Sequence, residues 1–128
     1  PGSALAERGG LELEELLDQH LIVREPGSGT RAVLEHALAE RNLTVESFAR
    51  MTEVSSLNII KEFVAAGVGV SFLYDAAVGA ELQAGELARI ALAGAPLSHA
   101  ITFVHAKGSA FSQRFERFFD ELTELSRV

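Results

Sequence analysis

Leu21-Ile22-Val23-Arg24-Glu25-Pro26-Gly27-Ser28-Gly29-Thr30-Arg31 is the stretch from which the fold is read. Three apolar residues, two of them branched at Cβ, predict a short buried strand over 21–23. Pro26, Gly27 and Gly29 break it. Ser28 or Thr30 is then placed to cap a helix whose apolar positions are Val33, Leu34, Ala37 and Leu38. A strand leading through a glycine loop into a helix start turns several backbone N–H groups toward one point beyond the strand's carboxyl end, where a small anion or polar ligand would bind. The same residues also serve as a tight turn with an ordinary cap.

Upstream, Pro1 to Gly10 is polar and glycine-bearing and reads as an approach segment, and leucines at 13, 16 and 17 predict a short helix over 11–19. Glu12, Glu14 and Glu15 suit the positive end of its dipole and face solvent rather than doing acid–base chemistry. Downstream, the helix runs over 30–41 and stops near Asn42, a residue tolerant of left-handed backbone. A second strand is predicted over 49–54. Ser55 and Ser56 then cap a helix with Leu57, Ile60, Phe63 and Val64 on one face, ended by Gly67. The segment 68–73 reads as a third, central strand, 76–82 as a short helix closed by Gly85, 87–92 as an edge strand and 99–105 as a further strand. Strands alternating with helices through short connections give an α/β open sheet, with helices on both faces and right-handed crossovers. In such a sheet ligands lie outside the carboxyl ends of the strands, where the junctions 25–30 and 54–58 both open.

Composition limits the function. The chain has 128 residues, enough for one domain, with 48% apolar and 23% charged positions and a formal charge of −7. That charge repels phosphate backbones, so DNA or RNA binding by this segment itself is not expected. No apolar run approaches the ~20 residues of a membrane span, and the N-terminus shows no signal-peptide pattern. The absence of cysteine removes disulfides and thiolate metal sites and fits a cytoplasmic location. A P-loop fails because no lysine follows Gly29, and a hydrolase reading lacks a nucleophile elbow. His99 and His105 lie roughly 20 Å apart along one strand, too far to share a metal ion. No cofactor is expected. A flavin would want aromatic residues on later loops to sandwich its ring, and Tyr74 is the single tyrosine in a chain without tryptophan.

The string over 21–31, VSSLNIIKEFVAAGVGVSFLYDAAV over 54–78, VHAKG over 104–108 and FSQRFERFFDEL over 111–122 together resemble the effector-binding region of LysR-type transcriptional regulators. The resemblance covers about Leu11 to Leu122. It implies one lobe of a bilobal, periplasmic-binding-protein-like (type II) domain, with a small polar or anionic effector in the cleft between lobes. In full-length members a separate winged helix-turn-helix binds DNA. Residues 1–20 would then be the inter-lobe crossing and a short helix, 21–98 lobe two, and 99–128 the return strand and helix of lobe one. The chain is expected to be a fragment and a sensory module without catalysis. The effector contacts carried over are Glu25, Pro26, Gly27, Ser28, Gly29 and Thr30, with Val54, Ser55 and Ser56 as the second contribution. The alternative is a stand-alone α/β protein that binds a small molecule, flavin or phosphate.

The C-terminal segment carries Phe111, Phe115, Phe118, Leu122 and Leu125 at helical spacing, widened by Phe119, with Glu116, Asp120, Glu121 and Glu124 on other faces. Such a stripe needs cover: the stripe of a second copy, or an exposed sheet face of its own or another chain as in a swapped dimer, is the expected partner, and loose packing on its own lobe is the alternative.

Overall fold

The computed structural model describes residues 4–94, 97, 104, 107 and 110–125. They fall into two compact units, 1–98 and 99–128. The first holds a short helix α1 (Ala4–Glu7), a 3-10 turn over Leu13–Leu16, strand β1 (His20–Val23), helix α2 (Gly29–Ala39), a 3-10 turn over Val45–Ser47, strand β2 (Arg50–Glu53), and helices α3 (Leu57–Ala65) and α4 (Asp75–Gln83). The second unit contributes helix α5 (Ser112–Leu125).

β1 and β2 pair in parallel with His20 opposite Arg50 and Val23 opposite Glu53. On its other side β1 meets Val70 through a parallel bridge at Leu21, where Ile22 N–H donates to Val70 O at 2.8 Å and Val70 N–H to His20 O at 2.9 Å. β1 is therefore the central strand. The expectation of a central strand over 68–73 is corrected, since that segment pairs with β1 at Val70 alone and lies beside it. The edge strand expected over 87–92 likewise reduces to one bridge, Leu92 with Leu11. The helix expected over 11–19 shortens to the 3-10 turn, in which Leu13 and Leu16 are buried. The strand expected over 99–105, with His99 and His105, lies outside the described residues.

Side-chain alternation along β1 explains why it holds the fold. Leu21 and Val23 join a buried cluster with Leu11, Leu13, Leu16, Leu34, Ala37, Leu38, Val45 and Phe48, which seats α2 on one face. Ile22 is fully buried outside that cluster, as is Ile60 of α3, the helix packed against β1. A strand buried on both faces reads as continuous apolar sequence, which is what 21–23 shows. α2 ends as its sequence dictates, with Asn42 in left-handed backbone at φ 56° and Leu43 N–H bonded to Leu38 O at 2.9 Å. α3 closes in a Schellman arrangement: Gly67 has φ 75°, and Val68 N–H reaches Phe63 O at 3.0 Å.

Gly69 has a different task. A Cβ built there would stand 2.1 Å from His20 O, so only a glycine lets the 68–70 backbone lie this close to β1.

Candidate functional site

Parallel pairing places the carboxyl ends of β1 and β2 at one edge of the sheet, and the nine predicted positions follow directly from those ends. Val54 N–H still pairs with Val23 O at 2.9 Å, so the two junctions leave the sheet at the same level. Glu25 and the exposed Pro26 and Gly27 form the first turn, in which Gly27 takes φ 91° and Ser28 N–H donates to Glu25 O at 3.2 Å. Ser28 caps α2, with its Oγ accepting from Arg31 N–H at 3.2 Å. The Thr30 hydroxyl stands 3.1 Å from Ser28 Oγ. At the second junction Ser55 is exposed, Val54 and Ser56 are half-buried, and Ser56 Oγ caps α3 by accepting from Ile59 N–H at 3.5 Å.

Each helix start leaves first-turn donors open. Among the described residues the N–H groups of Gly29 and Thr30, and those of Leu57 and Asn58, meet no acceptor within the chain. Such groups carry the positive end of the helix dipole.

The nearby carboxylates are neutralised by guanidinium groups. Glu25 takes a two-pronged bond from Arg24, Nε to Oε2 at 2.8 Å and Nη2 to Oε1 at 2.9 Å. That bond, helped by the residue's own backbone N–H, lowers the Glu25 pKa to about 2. Glu35 and Glu53 both receive hydrogen bonds from Arg31, at 2.8 and 2.7 Å. An anion at this edge therefore faces helix ends and paired carboxylates rather than free negative charge.

Three residues here were not singled out as site positions from sequence. Arg31 is the first. Tyr74 is the second: the order β2, β1, Val70, parallel throughout, puts the reversal of strand order between β1 and the 68–74 segment, and Tyr74 Oη lies 3.0 Å from where a Gly29 Cβ would stand. The third is Ser71, whose Oγ is buried without a hydrogen-bond partner. The pairing of 68–74 beside β1 is the signal that would have found the last two. Along α2 and this segment runs an open groove of about 1490 Å³, lined among others by Thr30, Val33, Phe72, Tyr74 and Val78. It exceeds the roughly 300–1,000 Å³ of a fitted small-molecule pocket, so it is an open face rather than a shaped site. Of the nine predicted positions, Thr30 alone lines it.

Among the described residues no group of three or more His, Asp or Glu side chains is arranged to hold a metal ion, and no helix is long and apolar enough to cross a membrane.

Comparison with known proteins gives a consistent answer. The family pattern described as LysR substrate binding domain matches residues 1–127. The HTH-type transcriptional regulator CfxR of Cupriavidus necator is 33% identical over 116 residues, covering 91% of this chain and 36% of that protein. The RuBisCO operon transcriptional regulator of Acidithiobacillus ferrooxidans is 33% identical over 122 residues, covering 95% of this chain and 38% of its own length. The chain thus spans somewhat over a third of these curated relatives. The CcmR regulatory domain of Synechocystis, solved in complex with 2-PG, superposes with a TM-score of 0.66 at 24% identity, over 97% of this chain and 58% of that one. The shared architecture is α/β, of the type II periplasmic-binding-protein-like class.

Proposed function

This chain belongs to the family of LysR substrate binding domains, and from that membership we propose that it is the sensory part of a transcriptional regulator. A small polar or anionic effector bound at the carboxyl edge of β1 and β2, between this lobe and a second one, controls DNA binding by a separate winged helix-turn-helix. The observation that carries this reading is the pair of serine-capped helix starts, at Ser28 and Ser56, on adjacent parallel strands with open first-turn N–H groups. The two relatives named above are transcriptional regulators, and the structural neighbour was solved with a small molecule, 2-PG. Both facts favour a reversible binder over an enzyme, acting in the cytoplasm, where its operator would be. On this reading residues 1–20 are the inter-lobe crossing, 21–98 lobe two and 99–128 the return to lobe one.

Backbone donors and hydroxyls from Ser28, Thr30 and Ser55 contact the ligand. Removing one such hydroxyl costs ~1 kcal/mol, or about a fivefold loss of affinity. The test is calorimetric titration of the full-length regulator with 2-PG, inorganic phosphate and sulfate, with Thr30→Val as the variant. Weaker binding with unchanged DNA affinity is the expected result. Unchanged binding reduces Thr30 to a neighbour of the cap, and turnover of any of these ligands would overturn the sensory reading.

Self-association is proposed through α5 and the residue before it, where Phe111, Phe115, Phe118 and Leu122 recur at helical spacing. Light scattering at micromolar concentration should show a dimer that becomes monomeric when Phe115→Asp and Phe118→Asp are combined.

A further inference from the structure

The two junctions of the proposed site are carried by different strands, and one side chain is bonded to both. Arg31, in the first turn of α2, is 8% exposed and is the one charged residue buried among the described residues. Its Nη1 donates to Arg24 O at 3.1 Å and to Glu53 Oε2 at 2.7 Å, while Nε donates to Glu35 Oε1 at 2.8 Å. The Arg24 carbonyl opens the 24–30 loop. Glu53 ends β2 and directly precedes Val54, Ser55 and Ser56. Beyond the Val54–Val23 backbone bond, these are the hydrogen bonds that join the two junctions among the described residues.

We propose that Arg31 is the positioning residue of the effector site, fixing the 24–30 and 53–56 junctions relative to one another so that a ligand held by one is felt by the other. The inference rests on the effector site proposed above. A planar fork is what the task needs: three acceptors on three different elements are reached from one rigid group, and a lysine ammonium presents no such spread. The role is also separable from stability. The Glu35 and Glu53 side chains are 49% and 45% exposed, so water takes over when the guanidinium is withdrawn. Breaking the link through Glu53 leaves Arg31 still bonded to Glu35 and Arg24, so the buried charge is not orphaned.

The experiment is amide hydrogen exchange on the 128-residue chain, unliganded, comparing wild type with Arg31→Met, Arg31→Lys and Glu53→Gln. In Arg31→Met the hydrogen-bonded amides of Ser28 and Ala32 at one junction, and of Val54, Ile59 and Ile60 at the other, should exchange ~10-fold faster or more, while those of Leu21 to Val23 keep their rates. Arg31→Lys should stay fast. Glu53→Gln, altered on the other strand, should still accelerate Ser28 and Ala32, a readout that a purely local helix-end role would not move. If Arg31→Met is globally unfolded, Glu53→Gln alone decides. Wild-type rates at both junctions, acceleration confined to the altered residue's own junction, or full rescue by lysine would each overturn the proposal. The two readings are judged separately: titration of the full-length regulator with 2-PG, phosphate and sulfate judges the effector site, whereas the unliganded exchange comparison judges Arg31.

Discussion

Gly69→Ala should be among the most damaging single-methyl changes available to this fold. The added Cβ would sit 2.1 Å from the His20 carbonyl oxygen, and that oxygen belongs to β1 backbone, which has no rotamer with which to move aside. The 68–70 segment must therefore back away. Two backbone hydrogen bonds flank the contact, Val70 N–H to His20 O at 2.9 Å and Ile22 N–H to Val70 O at 2.8 Å. Each is worth about 1 kcal/mol net, and overpacking of this kind costs a further ~1–3 kcal/mol. The expected loss is thus ~3–5 kcal/mol, a large share of the ~5–15 kcal/mol that holds a small domain together. Urea denaturation followed by circular dichroism measures it directly. Gly79→Ala is the control, because its Cβ would meet nothing within 4 Å inside α4. It should stabilise by ~0.5–1 kcal/mol through helix propensity. A Gly69→Ala protein within about 0.5 kcal/mol of wild type would refute the reasoning, since a loss above that floor is what the named mechanism requires.

Removing the α2 cap with Ser28→Ala should cost ~1 kcal/mol in the same denaturation assay and loosen the Thr30 hydroxyl that lies beside it. The Glu25 carboxylate is held ionised by Arg24, so its folded pKa is depressed below the unfolded one; its contribution is complete above about pH 4.3 and is lost as the pH falls toward about 2. A carboxyl NMR titration should show that midpoint, and Arg24→Gln should return it toward the ordinary glutamate range. Gly29→Ala meets only the tip of a flexible side chain, Tyr74 Oη at 3.0 Å, so stability should change by less than about 1 kcal/mol while the Tyr74 ring resonances move.

The parts legible from sequence were those fixed by local chemistry. Continuous apolar residues at 21–23 announced a buried strand, Ser28 or Thr30 and the pair Ser55 and Ser56 announced helix starts, where Ser28 and Ser56 are the caps, and Asn42 and Gly67 announced helix ends. Misreadings arose where pairing decides the outcome. Val68 to Leu73 has the composition of a core strand, yet pattern alone does not say how many of its residues find a partner, and one does. Leucines at 13, 16 and 17 satisfy helical spacing, but only a four-residue 3-10 turn, Leu13–Leu16, forms there and Leu17 follows it. At the site, the loops were visible and their mutual arrangement was not. Arg31 bonds to residues 7 and 22 positions away, a relation that no local window contains.

The central place of β1 also sets an order of assembly. Thirty residues separate His20 from its partner Arg50, and forty-nine separate Leu21 from Val70. Closing the longer loop costs only about 0.4 kcal/mol more in chain entropy, so distance along the chain does not choose between the two events. What each closure returns does: the first gains four residue pairs and encloses α2 over Leu21 and Val23, and the second gains a single bridge. β1, α2 and β2 should then form the folding nucleus, with the 68–74 segment docking afterwards onto a finished edge. That is also the order in which the residues leave a ribosome, so the nascent chain meets each partner as it becomes useful and has no incentive to wait for its end.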